Sequence, residues 1–444
     1  EVINPWPIPT INVSPRYQGS FLLIFFQVFE GRIPPRSPGI SMPVFDPKLK
    51  KVKLSNNVWI ENLNIDIAGM HNHIRFITEW SNNKAPLNEG KFSGNVDFEF
   101  IDGKNQMLIT IDSTELTFSD SLWVIEGDNT IRYYPNYLAI NNLKLNNSMQ
   151  SFQVNGSSSL NQDTGIIVLL DNFDISALNV LQKANGLHFD GIANGNAKFY
   201  GLFDKLYSTG KLEVVNLSIN KMLYGTLNLY SKWMRGQASI DLVGDLTRDQ
   251  FESMSFSGQY NIHPSDTNLT STVDIGISLK RFKLQVFEPF VSRVFSKIAP
   301  RSSATGNLHL SGTLRAPILT GNILVQKGGF TVDYLNTQYT FAEEFTFTKD
   351  QISFENLTLN EMKGNAGLVS GKFDHENFRN FSLDIKIKQD NLHILNTSLL
   401  DNSFFYGQAY GSGDIHITGP LGSMDIVVNS STANGTQINI PLTN

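Results

Sequence analysis

VWIENLNI (58–65), LAINNLKL (138–145), LEVVNLSI (212–219) and ISFENLTL (352–359) follow one pattern: apolar-x-apolar-x-x-Leu-x-Ile/Leu, with Asn just before the Leu. Alternation is the mark of a strand, whose successive side chains point to opposite faces. The step of three in the middle breaks that phase at the same place each time. An unbroken strand would send Leu143 and Leu145 to the face opposite Leu138 and Ile140. One extra residue at Asn141–Asn142 resets the phase, as a β-bulge or sheet corner does. Asn tolerates the left-handed backbone such a corner needs. A strand buried on both faces would need apolar residues in between, where Asn, Glu, Lys, Thr and Ser dominate. The reading predicts that Ile140 and Leu143 share a face, as do Val214 and Leu217, and Phe354 and Leu357.

Around these copies lie further strand signals: NVDFEF (95–100), QMLITI (106–111), GIIVLL (165–170), STVDIGISL (271–279) and SLDIKIK (382–388). Gly, Asn, Asp and Ser punctuate them every 8–12 residues, the spacing of an all-β chain. Helix signals are few: DISALNVLQKAN (174–185), with a possible Asp174 cap, VFEPFVSRVFSKIA (286–299), and at most a turn or two in SLLDNSF (398–404). An internal repeat runs through the chain. Gly195-NAKFY-Gly201 is followed by Gly210, and Gly306-NLHLS-Gly312 by Gly321; Gly413-DIHIT-Gly419 departs at Val428. FDISAL (173–178), FKLQVF (282–287) and DNLHIL (390–395) stand upstream of the three copies. The expected division is a Pro-rich segment 1–48, a first sheet section 49–165, and repeats 166–275, 276–383 and 384–444, the last incomplete.

Composition narrows the function. Of 444 residues 41% are apolar and only 17% charged, and nine of the 17 prolines fall in the first 47 residues. A net charge of −6 argues against nucleic acid, which requires a basic patch. With no cysteine, disulfides and thiol chemistry are excluded, which fits a bacterial envelope protein. The chain opens at Glu1 without Met or leader, so an excised or processed piece is expected. FLLIFFQVF (21–29) has nine residues, where a spanning helix needs roughly twenty; it reads as a strand.

No catalytic constellation is present: no HExxH, P-loop, dinucleotide fingerprint or GxSxG elbow occurs. His71 and His73 are a possible weak metal pair without a third ligand. Glu343–Glu344 reads as a solvated pair, and Asn216, Asn268 and Asn356 head Asn-x-Ser/Thr triplets that suit turns. Asp112-Ser113-Thr114 and Asp120-Ser121-Leu122 resemble a short bacterial O-glycosylation signal. The chain is expected to be no enzyme and to hold no cofactor or metal.

A sheet that keeps one side wet must cover its other side. Each inward Leu, Ile or Phe left in water forgoes roughly 1.5–3 kcal/mol, so the sheet either folds shut or takes an apolar guest. The candidate lining residues are Leu138, Ile140, Leu143, Leu145, Phe199, Leu212, Val214, Leu217, Leu308, Leu310, Ile323, Val325, Phe354, Leu357, Leu359, Ile415 and Ile417.

The order of elements resembles the TamB family of bacterial envelope proteins, related to AsmA-like proteins, in the form found in Bacteroidota. The resemblance rests on LWVIEGDNTIRYYPNYLAINNLKLNN (122–147), LLDNFDISALN and GLHFDGIANGNAKFYG (within 169–201), TGNLHLSGTLRAPILTGNILVQKGGFTVDYLNTQYTF (305–341), and FYGQAYGSGDIHITGPLGSMDIVVNSSTANGTQINIPL (405–442). It covers roughly 50–442. It implies a β-taco, an elongated, curled antiparallel sheet with a hydrophobic groove and a few short helices. It further implies a periplasmic location in a Gram-negative envelope, with phospholipid acyl chains as cargo, and an inner-membrane anchor outside this chain. The implied partner is an Omp85-type (TamA-like) outer-membrane barrel, and the implied roles are phospholipid transport and outer-membrane protein assembly. A closed β-solenoid serving as a structural or adhesive rod is the alternative. A transmembrane barrel is disfavoured because the strand runs read as mostly shorter than about ten residues.

Overall fold

The computed structural model describes residues 48–441 apart from 54–58, 83–86, 102, 119, 161–163, 177–178, 180–187, 263–270, 289–297, 315, 362–363 and 402. FLLIFFQVF lies outside the described residues, as do most of the two longer helix candidates. The chain is all-β, with twenty-six strands among the described residues in antiparallel pairing. It divides into two compact units, Glu1–Pro135 with Asn141–Ser148 and Val180–Lys183, and Asn136–Ile140 with Met149–Asn179 and Ala184–Asn444.

The first unit holds β1 (Lys48–Lys53), β2 (Trp59–Met70), β3 (His73–Ser81), β4 (Glu89–Ile101), β5 (Lys104–Ile111), β6 (Thr114–Phe118), β7 (Ser121–Ile125), β8 (Thr130–Tyr134) and the later part of β9 (Tyr137–Asn147). β1 to β5 pair in sequence, and β4 also pairs with β6 at Glu89 and Gly90. Ile74, Phe76 and Val96 form the core, with Phe92, Phe98, Met107 and Ile109 packed on it. Asn129, itself buried, acts as an extra strand residue: its amide accepts from Ile111 N at 2.9 Å and donates to Ile111 O at 2.8 Å. Both of that residue's backbone groups are thereby satisfied.

The second unit runs through β10 (Gln150–Ser159), β11 (Gly165–Asp174), β12 (Phe189–Tyr200), β13 (Tyr207–Ile219), β14 (Met222–Trp233), β15 (Ser239–Arg248), β16 (Phe251–Asn261), β17 (Thr272–Lys283) and β18 (Ser303–Thr313). It continues through β19 (Ala316–Val332), β20 (Thr337–Phe347), β21 (Gln351–Glu361), β22 (Ala366–Glu376), β23 (Arg379–Thr397), β24 (Tyr406–Pro420), β25 (Asp425–Thr432) and β26 (Gln437–Asn439). Each strand from β10 to β24 pairs with the next, and β26 returns to the first residues of β24.

The Asn corners exist. Asn62, Asn142, Asn216 and Asn356 all have φ between +49° and +56° in mid-strand. In β13 the register jumps from Val214 to Leu217, and in β21 from Phe354 to Leu357. Both residues of each pair are buried in one cluster. In β9, Ile140 and Leu143 are both half-buried while Ala139 is buried, so burial does not separate the faces there. The same left-handed corner recurs at Asn172, Arg281, Lys327 and Asn391.

A second device goes with it. The corner residue's N–H, out of register with the ladder, finds a side chain on the following strand. Asn172 N donates to Asn194 Oδ1 at 2.9 Å, Arg281 N to Thr305 Oγ1 at 3.0 Å, Asn356 N to Ser370 Oγ at 3.0 Å and Asn391 N to Ser412 Oγ at 2.8 Å. In each case a Gly follows the acceptor: Gly195, Gly306, Gly371 or Gly413. A Cβ on Gly306 would strike Asn322 O of the neighbouring strand, and one on Gly413 would strike Asn429 O. The opening Gly of each repeat is therefore half of a clamp on the preceding corner.

The sheet curls. In a flat sheet β14 and β17 would lie roughly 14 Å apart, yet the rings of Tyr224 and Phe282 meet at 5.5 Å. Likewise Tyr339 OH in β20 donates to His393 O in β23 at 2.8 Å. One expectation is corrected. Strands are longer than the expected runs, with 12 residues in β17, 17 in β19 and 19 in β23, because each corner joins two short alternating runs into one strand. Strand length therefore does not distinguish this sheet from a membrane barrel. What speaks for the curled sheet is that its buried apolar side chains gather in clusters on the inner face, whereas a barrel turns an apolar band out to lipid. Within SLLDNSF, Leu399–Asp401 form a turn, within the turn or two expected, and Leu284–Phe287 is a 3-10 turn.

Candidate functional site: the apolar inner face

Corner and curl together decide what the inner face collects. Alternation supplies inward residues up to the corner, the phase reset continues them beyond it, and curvature brings strands three apart into contact. Leu212, Val214, Leu217, Leu308, Ile323 and Val325 gather with Ala193, Tyr224, Leu246, Leu279, Phe282 and Ala304. Phe354, Leu357 and Leu359 gather with Tyr339, Val369 and Leu392. Phe341 and Phe345 pack against both groups, so the apolar strip is continuous between them. Leu138, Ile140, Leu143, Leu145, Phe199, Leu310, Ile415 and Ile417 are half-buried and belong to neither group.

Along the strip runs a stair of rings. Phe330 to Phe341, Phe341 to Phe345, Phe345 to Phe354 and Phe354 to Phe373 have centroid separations of 6.2, 6.0, 5.2 and 6.0 Å. Tilted pairs at these distances suit the ring quadrupole.

One polar cluster lies beside the strip. Glu361 is buried, and its Oε1 accepts from Asn365 N at 3.2 Å and Nδ2 at 2.9 Å. Its Oε2 lies 3.9 Å from His393 Nδ1, and the His393 ring stacks on Tyr410 at 4.7 Å. Burial raises the Tyr339 hydroxyl above its ordinary pKa. Sequence reading missed this cluster because Glu361 and His393 are joined only through the curl.

The other side is wet and carries polar pairs across strands: His309 with Asp274 at 2.7 Å, His416 with Asp384 at 2.8 Å and Lys280 with Glu252 at 2.8 Å. A cleft of about 520 Å³ in the first unit is lined by Asn62, Asn64, Glu79, Lys91 and Glu115, where Lys91 bonds Glu79 at 2.7 Å. A second cleft, of about 400 Å³, lies over Lys386, Lys388, Asp414 and His416. His73 is committed to Asp97 at 2.6 Å and His71 stands in the adjoining exposed turn. Among the described residues no three His, Cys, Asp or Glu groups converge to hold a metal, and no helix is long and apolar enough to cross a membrane.

No protein family, no curated protein and no solved structure matches this chain.

Proposed function

We propose that the protein is a non-enzymatic groove protein of the Gram-negative envelope. In this reading the inner face carries phospholipid acyl chains between inner and outer membrane, assists outer-membrane protein assembly, or does both. An Omp85-type barrel would receive it at the outer membrane, and an anchor outside this chain would hold it at the inner one. The observation that carries the reading is the continuous apolar strip joined through Phe341 and Phe345. A guest with long hydrocarbon chains and no need of polar partners suits such a lining.

The rod reading has its own support. Ala304, Val214 and Leu246 are almost wholly buried by protein alone, as in a dry core. Native mass spectrometry of the purified chain, with extraction of bound lipid, separates the two. Leu308→Asp places a charge at the half-buried margin of the strip, and Asn307→Asp is the outward control. Lipid in the parent, lost in Leu308→Asp at near-parental stability, supports conduction. No captured lipid, with severe destabilisation by Leu308→Asp, leaves the rod. His309 is unsuited as a control, since an Asp there would face Asp274.

A further inference from the structure

The connection from β23 to β24 breaks the usual chemistry of a turn. β-Turn corners are ordinarily Gly, Asn, Asp, Ser or Pro. Here the corner residues of Ser398–Asp401 are Leu399 and Leu400, 52% and 98% exposed. The turn is clasped shut. Asp401 N donates to Ser398 O at 3.1 Å, while Ser398 N and Oγ each donate to Asp401 Oδ2 at 2.7 Å. The clasp fixes the backbone of the turn that carries the two exposed leucines. Phe404, three residues on, is 82% exposed, and Tyr334, 67% exposed, meets Phe405 edge-on at 6.1 Å. Two neighbouring connections on one end of the second unit thus combine their apolar side chains.

Single exposed apolar residues elsewhere, such as Leu314, are ordinary. This group differs in that two neighbouring connections, tied by the Tyr334–Phe405 contact, present exposed apolar side chains together. Exposed leucines on a clasped turn, with the Tyr334 ring and hydroxyl on the neighbouring connection, suit the boundary of an apolar fluid, where leucine inserts and tyrosine keeps its polar end wet. The charges beside it, Asp401 and Asp333, are acidic, so they favour a neutral surface over an anionic one. The tip also continues the inner face, because Leu392 and Leu395 of β23 are buried just before it.

We propose that Leu399, Leu400, Phe404 and Tyr334 form a lip that inserts into the surface of a zwitterionic phospholipid bilayer. Bilayer contact follows from the lip itself; that an acyl chain passes over it to Leu395 rests on the groove reading above.

The test is flotation of the full chain with phosphatidylcholine vesicles, alone and with added phosphatidylglycerol. The parent is expected to float, and phosphatidylglycerol is expected to add nothing. Leu399→Ser/Leu400→Ser is expected to reduce the bound fraction about tenfold at an unchanged thermal midpoint, while Leu314→Ser leaves it as in the parent. A parent that stays at the bottom, or a double variant that floats equally well, overturns the lip. Lipid extracted from the same samples keeps the readings apart. Bound lipid without flotation sinks the lip alone, and flotation by an otherwise lipid-free chain sinks the groove alone.

Discussion

The backbone N–H of Arg281 donates to the hydroxyl of Thr305 at 3.0 Å, one strand away. Arg281 has a φ of +53° near the end of β17, where the ladder skips from Leu279 to Phe282. The bulge leaves its N–H without a ladder partner, and Thr305 replaces that partner. Removing the acceptor leaves that N–H to water and deletes the bond. Thr305→Val and Ser370→Ala are each expected to lower stability by about 0.5–1.5 kcal/mol, read from denaturant midpoints at constant m. Thr358→Ala, an exposed strand position, should stay within about 0.5 kcal/mol. Equal effects at all three sites would remove the clamp argument.

The corners themselves predict an asymmetry. A left-handed residue with a branched side chain costs about 1–2 kcal/mol, and Gly avoids that strain. Asn356→Val should destabilise by that amount, whereas Asn356→Gly should be close to neutral. Lys327 occupies the same conformation at φ +52° without the tolerance of Asn, so Lys327→Gly should raise stability by about 0.5–1 kcal/mol. Thermal unfolding of the three variants checks all of this. A Lys327→Gly variant less stable than the parent would show that the backbone there is not strained.

Four corners were legible because Asn marks them: Asn62, Asn142, Asn216 and Asn356 share both spacing and residue type. Those at Arg281 and Lys327 were not, since nothing in a Lys or Arg announces a left-handed backbone. The repeat glycines were visible as a period, but their purpose was not. Asn194, Thr305 and Ser412 lie beside them as ordinary strand polar residues until the neighbouring corner is in place. Of the lining residues, Val214, Ile323 and Phe354 followed from alternation plus the phase reset. Leu310, Ile415 and Ile417 have the same alternation yet remain half-buried, because burial depends on what the curl brings opposite them. Glu361 and His393 are 32 residues apart, and period-two reasoning cannot join them.

Alkaline pH should weaken the fold through buried tyrosine. Burial pushes the Tyr224 hydroxyl up to about 12, and Tyr339 is raised as well. The folded state holds these protons more tightly than the unfolded chain, where tyrosine ionises near about 10. Their contribution is complete below about pH 10 and is lost as pH rises above it, for Tyr224 toward about 12. Urea midpoints at about pH 9 and about pH 11.5 should therefore fall in the parent, and fall less in Tyr224→Phe. An identical slope in that variant would exclude Tyr224 as a cause.

The tie between Tyr339 and His393 makes the curl itself testable. Its hydroxyl reaches the carbonyl of a strand three positions away, a gap that a flat sheet would leave near 14 Å. Tyr339→Phe keeps the ring, which packs against Phe330 at 5.7 Å, and removes only the bond. The expected loss is about 0.5–1.5 kcal/mol, too small to unfold the unit. Its location should be more informative than its size. If the bond helps hold β20 over β23, amide exchange should quicken around Leu392–Leu395 and around Glu361, while Ile74–Phe76 in the first unit keeps its parental rate. Tyr339→Ala removes the ring as well and should cost about 3–5 kcal/mol, with faster exchange along the whole aromatic stair from Phe330 to Phe373. Unchanged exchange at Leu392–Leu395 in Tyr339→Phe would mean that packing alone sets the curvature, and that the hydroxyl merely satisfies a carbonyl the curl had already brought near.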